Sequence, residues 1–148
     1  MTAKDDGEDG KDGRAGVPVS RQELHGELTG AIIGGCFEVH NELGRGFLES
    51  VYESALAMVL GAKGYAVARQ APLQVRFRGQ VVGQFWADLV VESKVIVELK
   101  AVATLAQEHR AQLINYLKGT GMDVGLLVNF GASRLEHRRC WRPDPEGT

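Results

Sequence analysis

Apolar side chains recur every three to four residues from Leu28 to Leu43. In RQELHGELTGAIIGGCFEVHNEL this spacing predicts an amphipathic helix, and LGRG at 43–46 predicts the break that ends it. The following FLESVYESALAMVLGAKG predicts a second helix that ends at glycine. At about 100° per residue, its apolar stripe is expected to contain Leu48, Val51, Tyr52, Ala55 and Val59. Glu49 then lies at the edge of that stripe, and Glu53 is expected in solvent.

The period changes to two in the middle of the chain, which indicates β-strands. AVARQAPLQVRFRG alternates apolar and polar residues up to a turn at Gly79 and Gln80, and VVGQFWADLVV and KVIVELKA follow as two more strands. TLAQEHRAQLINYLKGTG predicts another amphipathic helix, VGLLVNFG a buried strand, and SRLEHRRCWRP either a strand or a short helix. The order α-α-β-β-β-α-β predicts an α/β or α+β-like domain with a mixed β-sheet flanked by helices.

Length and composition are typical of a single globular domain. The chain has 148 residues, of which 44% are hydrophobic and 24% charged, and it lacks the run of roughly 18 apolar residues that indicates a membrane span. We expect residues 1–19 to form a disordered, acidic, Gly-rich tail, residues 20–142 one domain, and residues 143–148 a C-terminal tail. Cys36 and Cys140 lie far apart and are expected to be free thiols in a reducing cytoplasm.

The formal net charge of −2 is carried by the N-terminal tail. Residues 1–16 hold five acidic and three basic side chains, and the rest of the chain holds 14 of each sign. Dedicated nucleic-acid-binding domains are usually basic. This balance therefore disfavours tight, non-specific binding to DNA, although it allows a local basic patch.

Three charged side chains interrupt the two most apolar strands, in the stretch ADLVVESKVIVELKA. Because side chains alternate between the faces of a strand, Glu98 and Lys100 share one face. If residues 92–94 form a three-residue turn, Asp88 lies directly opposite Glu98. Two carboxylates in that position repel each other, and oxygen-rich sites of this kind suit Mg²⁺ or Mn²⁺. The alternative is a solvated strand face that carries an ordinary ion pair.

The helix that follows these strands carries a polar row. Its members fall in a narrow sector at the border of the apolar side of the helix: Leu105, His109, Gln112 and Tyr116. Such a row suits the lining of a polar site, or equally a boundary whose hydrogen bonds are satisfied locally. Glu49 has two interpretations as well: a carboxylate that reaches the site from the second helix, or an exposed first-turn residue favoured by the helix dipole.

The order of these motifs resembles a known family. Gly46, Glu49 and Tyr52 form a GxxExxY motif within LGRGFLESVYESAL, which is followed by ADLVV, VIVELKA, HRAQLINYLKGTG and VGLLVNFG. Over roughly residues 24–131 the chain is similar to the GxxExxY proteins, a branch of the PD-(D/E)XK nuclease-like superfamily. The resemblance implies an αβββαβ core like that of restriction endonucleases, a bound divalent metal and hydrolysis of phosphodiester bonds.

The resemblance also implies a role for each matching residue. Asp88 and Glu98 are expected to bind Mg²⁺ or Mn²⁺ together with Glu49, and Lys100 to place or activate the attacking water. Gln112 belongs to an element that resembles QxxxY and is expected to assist catalysis. The expected substrate contacts come from Tyr116, His109, Tyr52 and Arg110.

The sequence leaves two functions open. The first is a divalent-metal-dependent nuclease with a nucleic-acid substrate, whose phosphates are held by Arg76, Arg78, Arg110 and the C-terminal arginines. The second is a non-catalytic module that binds a nucleic acid, a nucleotide or a protein and keeps the nuclease fold. No membrane partner is expected, and a homodimer is compatible with the sequence.

Overall fold

Residues 23–144 form three helices and five strands in the computed structural model, which describes this part of the chain. The bounds are α1 Gly26–Leu43, α2 Glu49–Ala62, β1 Val67–Phe77, β2 Gln80–Val91, β3 Val95–Lys100, α3 Gln107–Thr120, β4 Val124–Asn129 and β5 Glu136–Trp141. The predicted tail at 1–19, the predicted start of structure near Ser20 and residues 145–148 lie outside the described residues. No helix within residues 23–144 is long and apolar enough to cross a membrane.

The five strands form one mixed sheet in the order β1-β2-β3-β4-β5. Strands β3 and β4 run parallel, with α3 as the crossover between them, whereas the other neighbouring pairs are antiparallel. The predicted fold class, an α+β-like domain with a mixed sheet and flanking helices, is confirmed. The segment SRLEHRRCWRP, predicted to be either a strand or a short helix, contains strand β5.

Helices cover both faces of the central strands, whose side chains alternate between two cores. One core lies under α1 and α2 and includes Val97 and Leu99 of β3. The other lies under α3, where Leu113 and Leu117 pack on Ile96. Strands β3 and β4 are therefore apolar at consecutive positions, as strands buried on both faces are.

The buried face of α2 differs from the predicted stripe. Leu48 is 76% exposed, and the residues that face the sheet are Tyr52, Glu53, Leu56 and Leu60. Apolar residues occur almost all around this helix, so spacing alone does not single out one face. The expectation that Glu53 lies in solvent is wrong, since this side chain is buried against the sheet.

The hairpin of β1 and β2 changes its packing partner at Gln70 and Asp88. Towards the tip, Phe85 and Ala87 pack on α3, whereas Leu89 packs under α1 and α2. The ladder of the two strands omits the pair Gln70–Asp88, and Gln70 has a φ of 46°. A non-glycine residue in the left-handed region marks local strain, and such strain clusters at functional sites.

Both cysteines are buried free thiols, as predicted. Cys36 lies in the core under α1 and Cys140 in the core under α3, so the sheet separates them. Burial raises the pKa of the Cys36 thiol to about 12. This thiol therefore stays protonated and packs as a small apolar group.

Candidate active site

The turn between β2 and β3 sets the strand register that brings the predicted carboxylates together. The ladder of these strands ends at the pair Leu89–Val97. That pairing is the one that a three-residue turn at 92–94 requires, so the predicted register is confirmed. Continued by one residue, the same register puts Asp88 opposite Glu98.

At this position side-chain hydrogen bonds replace the regular ladder. The N–H of Leu99 donates to Asp88 Oδ2 at 2.7 Å, and the N–H of Asp88 donates to Glu98 Oε2 at 3.3 Å. Each strand thus gives a main-chain donor to a carboxylate of the other. Beyond the pair Leu89–Val97, β2 and β3 are no longer paired and leave an opening at Asp88 and Glu98. Main-chain N–H groups of both strands hold the two acidic side chains in this opening.

A buried glutamate from α2 joins this opening. Glu53 accepts hydrogen bonds from Gln70 Nε2 at 2.7 Å and from Arg69 Nε at 3.1 Å. Gln70 Nε2 also lies 3.3 Å from Asp88 Oδ1, so one amide links the two carboxylates. The left-handed backbone at Gln70 therefore coincides with a side chain that ties α2 to the site. Sequence reasoning missed Gln70 because nothing in its immediate neighbours marks it.

Burial and neighbouring negative charges raise the pKa values of the central carboxyl groups. Burial raises the pKa of Asp88, and the charge of Glu53 adds to the rise. Burial also raises the pKa of Glu98 to about 7, and the charge of Asp88 adds to this rise. The ammonium of Lys100 lowers both pKa values and so opposes part of the effect. At neutral pH Glu98 is divided between its protonated and ionised forms.

Lys100 and Glu49 lie near enough to Glu98 for their charges to change its pKa, and their roles in the site stay predictions. Lys100 is half-buried at the end of β3, and its main-chain oxygen accepts the N–H of Phe130 at 2.8 Å. Glu49 is the first residue of α2 and is exposed, and its charge contributes to the raised pKa of Glu98. Asp88, Glu98 and Glu53 are thus linked by hydrogen bonds, and Lys100 and Glu49 act on Glu98 through their charges.

Helix α3 supplies an aromatic side to the site. Tyr116 stacks on Phe85 of β2 with ring centroids 3.5 Å apart and planes inclined by 13°. Burial raises the pKa of the Tyr116 phenol, and the charges of Glu98 and Asp88 raise it further. Gln112 is exposed one turn earlier on α3, on the same side as Tyr116 at helical spacing.

Two of the predicted substrate contacts already have structural partners. His109 Nδ1 accepts the N–H of Ala106 at 3.0 Å, which caps the start of α3. Arg110 lies beside Cys140, where its positive charge and a hydrogen bond lower the pKa of a thiol that burial raises overall. The charges that shift the pKa values of Asp88 and Glu98 do not include that of Arg110, and its substrate contact stays a prediction.

Tyr52, also expected to contact substrate, is fully buried. Its ring stacks on Phe130 with centroids 4.5 Å apart, and its hydroxyl donates to Gly44 O at 2.6 Å and accepts the N–H of Phe47 at 3.2 Å. These bonds hold the loop that leads into Glu49. A side chain without exposed surface offers no face to a substrate, so the motif tyrosine positions the start of α2 instead.

A second polar group, which we call the Asn129 cluster, lies next to Lys100 and was missed by sequence reasoning. Asn129 is fully buried; its Oδ1 accepts the N–H groups of Val102 and Gly131 at 2.9 and 3.0 Å, and its Nδ2 donates to Val102 O and Glu136 Oε1 at 2.9 and 2.8 Å. The cluster holds the chain between β3 and α3. Its only sequence signal is a single amide at the end of VGLLVN.

Asp88 and Glu98 match the donor chemistry of a hard divalent cation. Mg²⁺ usually binds through one or two carboxylates and keeps several waters. Within residues 23–144 no group of three His, Cys, Asp or Glu side chains is arranged around one metal position. The oxygen donors of Asp88 and Glu98 suit Mg²⁺ or Mn²⁺, whereas zinc favours His and Cys.

Comparison with known proteins identifies the family. A sequence profile of the PD-(D/E)XK nuclease superfamily matches residues 26–140. The chain belongs to this superfamily. The nucleases of this superfamily generally use divalent metals.

Comparison of structures agrees with the PD-(D/E)XK fold. The crystal structure of SSO0001 is similar to this PD-(D/E)XK protein with a TM-score of 0.52 at 18% sequence identity, covering 85% of this chain and 64% of that chain. The protein thus spans less than two thirds of SSO0001, and the likeness concerns the fold alone. No curated protein matches the sequence significantly.

Proposed function

We propose that the protein is a divalent-metal-dependent nuclease of the GxxExxY type, which hydrolyses phosphodiester bonds beside Asp88, Glu98 and Lys100. The observation that carries the proposal is the exchange of main-chain hydrogen bonds at the opening of β2 and β3. It holds two mutually repelling carboxylates in place, an arrangement that costs stability unless a cation or a proton neutralises it.

Asp88 and Glu98 would hold the metal, with Glu49 as an outer carboxylate. A divalent cation there supplies Lewis-acid stabilisation of the phosphate and lowers the pKa of a bound water. Glu98 must lose its proton to bind the cation. Since burial raises the pKa of Glu98 to about 7, metal binding and activity should increase as the pH rises from about 6 to about 8.

The remaining groups act on the substrate. The Lys100 ammonium, whose charge already acts on both carboxylates, would stabilise the negative charge that develops on the phosphate and place the attacking water. Gln112 and Tyr116, which share one side of α3 at helical spacing, would orient the phosphate by hydrogen bonds. Glu53 is held by Arg69 and Gln70, so we assign it a positioning role.

The test is cleavage of labelled DNA and RNA, each single- and double-stranded, with Mg²⁺ or Mn²⁺ present. Lys100→Ala should lower the rate of cleavage at least about 100-fold, the scale of losing one electrostatic group in an active site. Lys94→Ala is the matched control, because Lys94 precedes the first residue of the same strand and lies at its opposite end. Its activity should equal that of the wild type.

Two results would contradict the proposal in different ways. Equal rates for the wild type and Lys100→Ala would attribute the cleavage to a contaminant or to another site. No cleavage of any of the four substrates, with divalent-ion binding retained, would favour the non-catalytic module.

A further inference from the structure

The outer face of the β1–β2 hairpin, opposite the face that packs on α3, carries exposed aromatic and amide side chains. Trp86 is 56% exposed and pairs across the strands with Pro72, and the next cross-strand pair on this face is Gln74–Gln84. Trp86 is two residues from Asp88, about 7 Å along the strand.

The inner face of the same hairpin packs tightly on α3, which makes the outer face rigid. We call this outer face, with Trp86, Gln74 and Gln84, the platform. Phe85 stacks on Tyr116, and a Cβ added at Gly119 of α3 would lie 2.7 Å from Val75 Cγ1. Helix α3 therefore lies as close to β1 as glycine allows. The hairpin cannot fold its outer residues inward without breaking these contacts.

The charge of this region favours an anionic occupant. Between Glu53 and Asp88 the chain has no Asp or Glu but four cations, Lys63, Arg69, Arg76 and Arg78. Lys63 and Arg69 pair with glutamates, whereas within residues 23–144 no carboxylate pairs with Arg76 or Arg78.

Contacts with neighbouring side chains hold both of these arginines near the tip of the hairpin. Arg76 donates to Gln74 Oε1 at 2.8 Å, and the Arg78 guanidinium lies over the Phe77 ring at 4.9 Å. The cross-strand partner of Arg76 is Val81, about 17 Å along β2 from Trp86. The outer face thus carries Trp86, two residues before Asp88, and two cations at the tip.

We propose that this face binds single-stranded nucleic acid: a base stacks on Trp86, the amides of Gln74 and Gln84 contact neighbouring bases, and Arg76 and Arg78 hold phosphates. The inference rests on the proposed nuclease function and narrows its substrate to strands with unpaired bases. Aromatic side chains bind single strands because each unpaired base exposes a π-face. In a duplex those faces are covered by the neighbouring base pairs, so Trp86 would have nothing to stack on.

The first test measures binding without cleavage, in EDTA, to a labelled strand of about 16 nucleotides, the upper range of single-strand site sizes. The probes are a DNA strand, an RNA strand and the matching duplex. Trp86→Ala should weaken binding of the single strands about 5- to 150-fold, the range found for losing one base stack. Trp86→Phe should retain most of the affinity, because it keeps a ring. Met58→Ala is the control, since Met58 is 74% exposed on α2 and lies outside the platform.

The second test uses tryptophan fluorescence. The chain has two tryptophans, so Trp141→Phe leaves Trp86 as the only reporter, and single strands should quench its emission while the duplex does not. A duplex bound as tightly as the single strand, unchanged binding in Trp86→Ala, or a dimer in sedimentation that Trp86→Ala dissociates would overturn the inference.

The two proposals fail separately. Single-strand binding that depends on Trp86, without cleavage under any condition, would leave the platform standing and remove the nuclease. Cleavage of duplex by Trp86→Ala at the wild-type rate would retain the nuclease and remove the platform.

Discussion

Glu98 and Glu136 occupy the same sheet two strands apart, yet their pKa values shift in opposite directions. Burial and the neighbouring charge of Asp88 raise the pKa of Glu98 to about 7. A hydrogen bond from Asn129 lowers the pKa of Glu136, and further donors, including the Leu105 N–H, lower it as well. One carboxylate is surrounded by donors, and the other faces a second carboxylate.

The difference separates two uses of buried polar groups. The Asn129 cluster satisfies its own hydrogen bonds and fixes the segment between β3 and α3, so it stabilises the fold without any ligand. The pair of Asp88 and Glu98 is unfavourable in the protein alone. Such a pair persists where function requires it, and a bound cation would neutralise its excess negative charge.

The largest expected effect is the loss of stability when Asn129, whose hydrogen bonds are satisfied within the protein, is replaced. Asn129→Ala leaves the N–H and C=O of Val102 and the N–H of Gly131 without partners, and it should lower the free energy of unfolding by about 4 kcal/mol. Urea denaturation measures this. Asn115→Ala on the exposed side of α3 is the control and should change stability by less than about 0.5 kcal/mol. A small loss in Asn129→Ala would mean that water replaces the amide.

The next effect has the opposite sign. A carboxyl group whose pKa is higher in the folded chain binds more protons when folded, so its contribution to stability falls as the pH rises from 4.5 to about 7. The full shift corresponds to something on the order of 3 kcal/mol. Glu98→Gln should therefore be more stable than the wild type at pH 8 without divalent ions, and the difference should shrink towards pH 5.

Glu136→Gln sharpens this second prediction, because the pKa of Glu136 is lowered by folding. Its ionised form stabilises the fold above the ordinary carboxyl pKa, and that contribution is lost as the pH falls. Thermal melting at pH 5 and pH 8 measures both variants. Relative to the wild type, the melting temperature of Glu98→Gln should be higher at pH 8 than at pH 5, and that of Glu136→Gln should be lower. If Glu98→Gln melts below the wild type at pH 8, the repulsion between Asp88 and Glu98 does not destabilise the chain.

The smallest expected effect is stabilisation by the cation itself. Mg²⁺ or Mn²⁺ at about ten times its dissociation constant should add about 1.4 kcal/mol, measured as a rise in melting temperature that is greater at pH 8 than at pH 6. Asp88→Asn should abolish the rise, and Glu136→Gln should keep it. An equal rise in both variants would place the bound ion outside the opening between β2 and β3.

Local pattern predicted most of the fold because most elements have one unambiguous period. The strict alternation in β1 and the turn at 92–94 give strands and register, and from these the meeting of Asp88 with Glu98. Apolar spacing did not identify the buried face of helix α2, because an apolar residue lies on nearly every side of this helix. Its true face was selected by packing on the sheet, which brought Glu53 inward.

The parts of the site that sequence reasoning missed depend on contacts between distant residues. Gln70 and Glu53 are 17 positions apart, and Asn129 and Val102 are 27 apart. No spacing rule links such positions. Conversely, Tyr52 stands in a recognised motif, yet its hydroxyl binds a loop only eight residues away, so motif membership pointed to function where the contact is architectural.

The order of the strands also has a consequence for how the chain folds during synthesis. Strands β1, β2 and β3 are consecutive and antiparallel, so their contacts are local and close short loops, whereas the parallel pair of β3 and β4 must wait for α3. A growing chain that has emerged only as far as β3 can already align Asp88 with Glu98. Until β4 arrives, however, the apolar edge of β3 is open to neighbouring chains, and this interval is when the nascent protein is most exposed to aggregation.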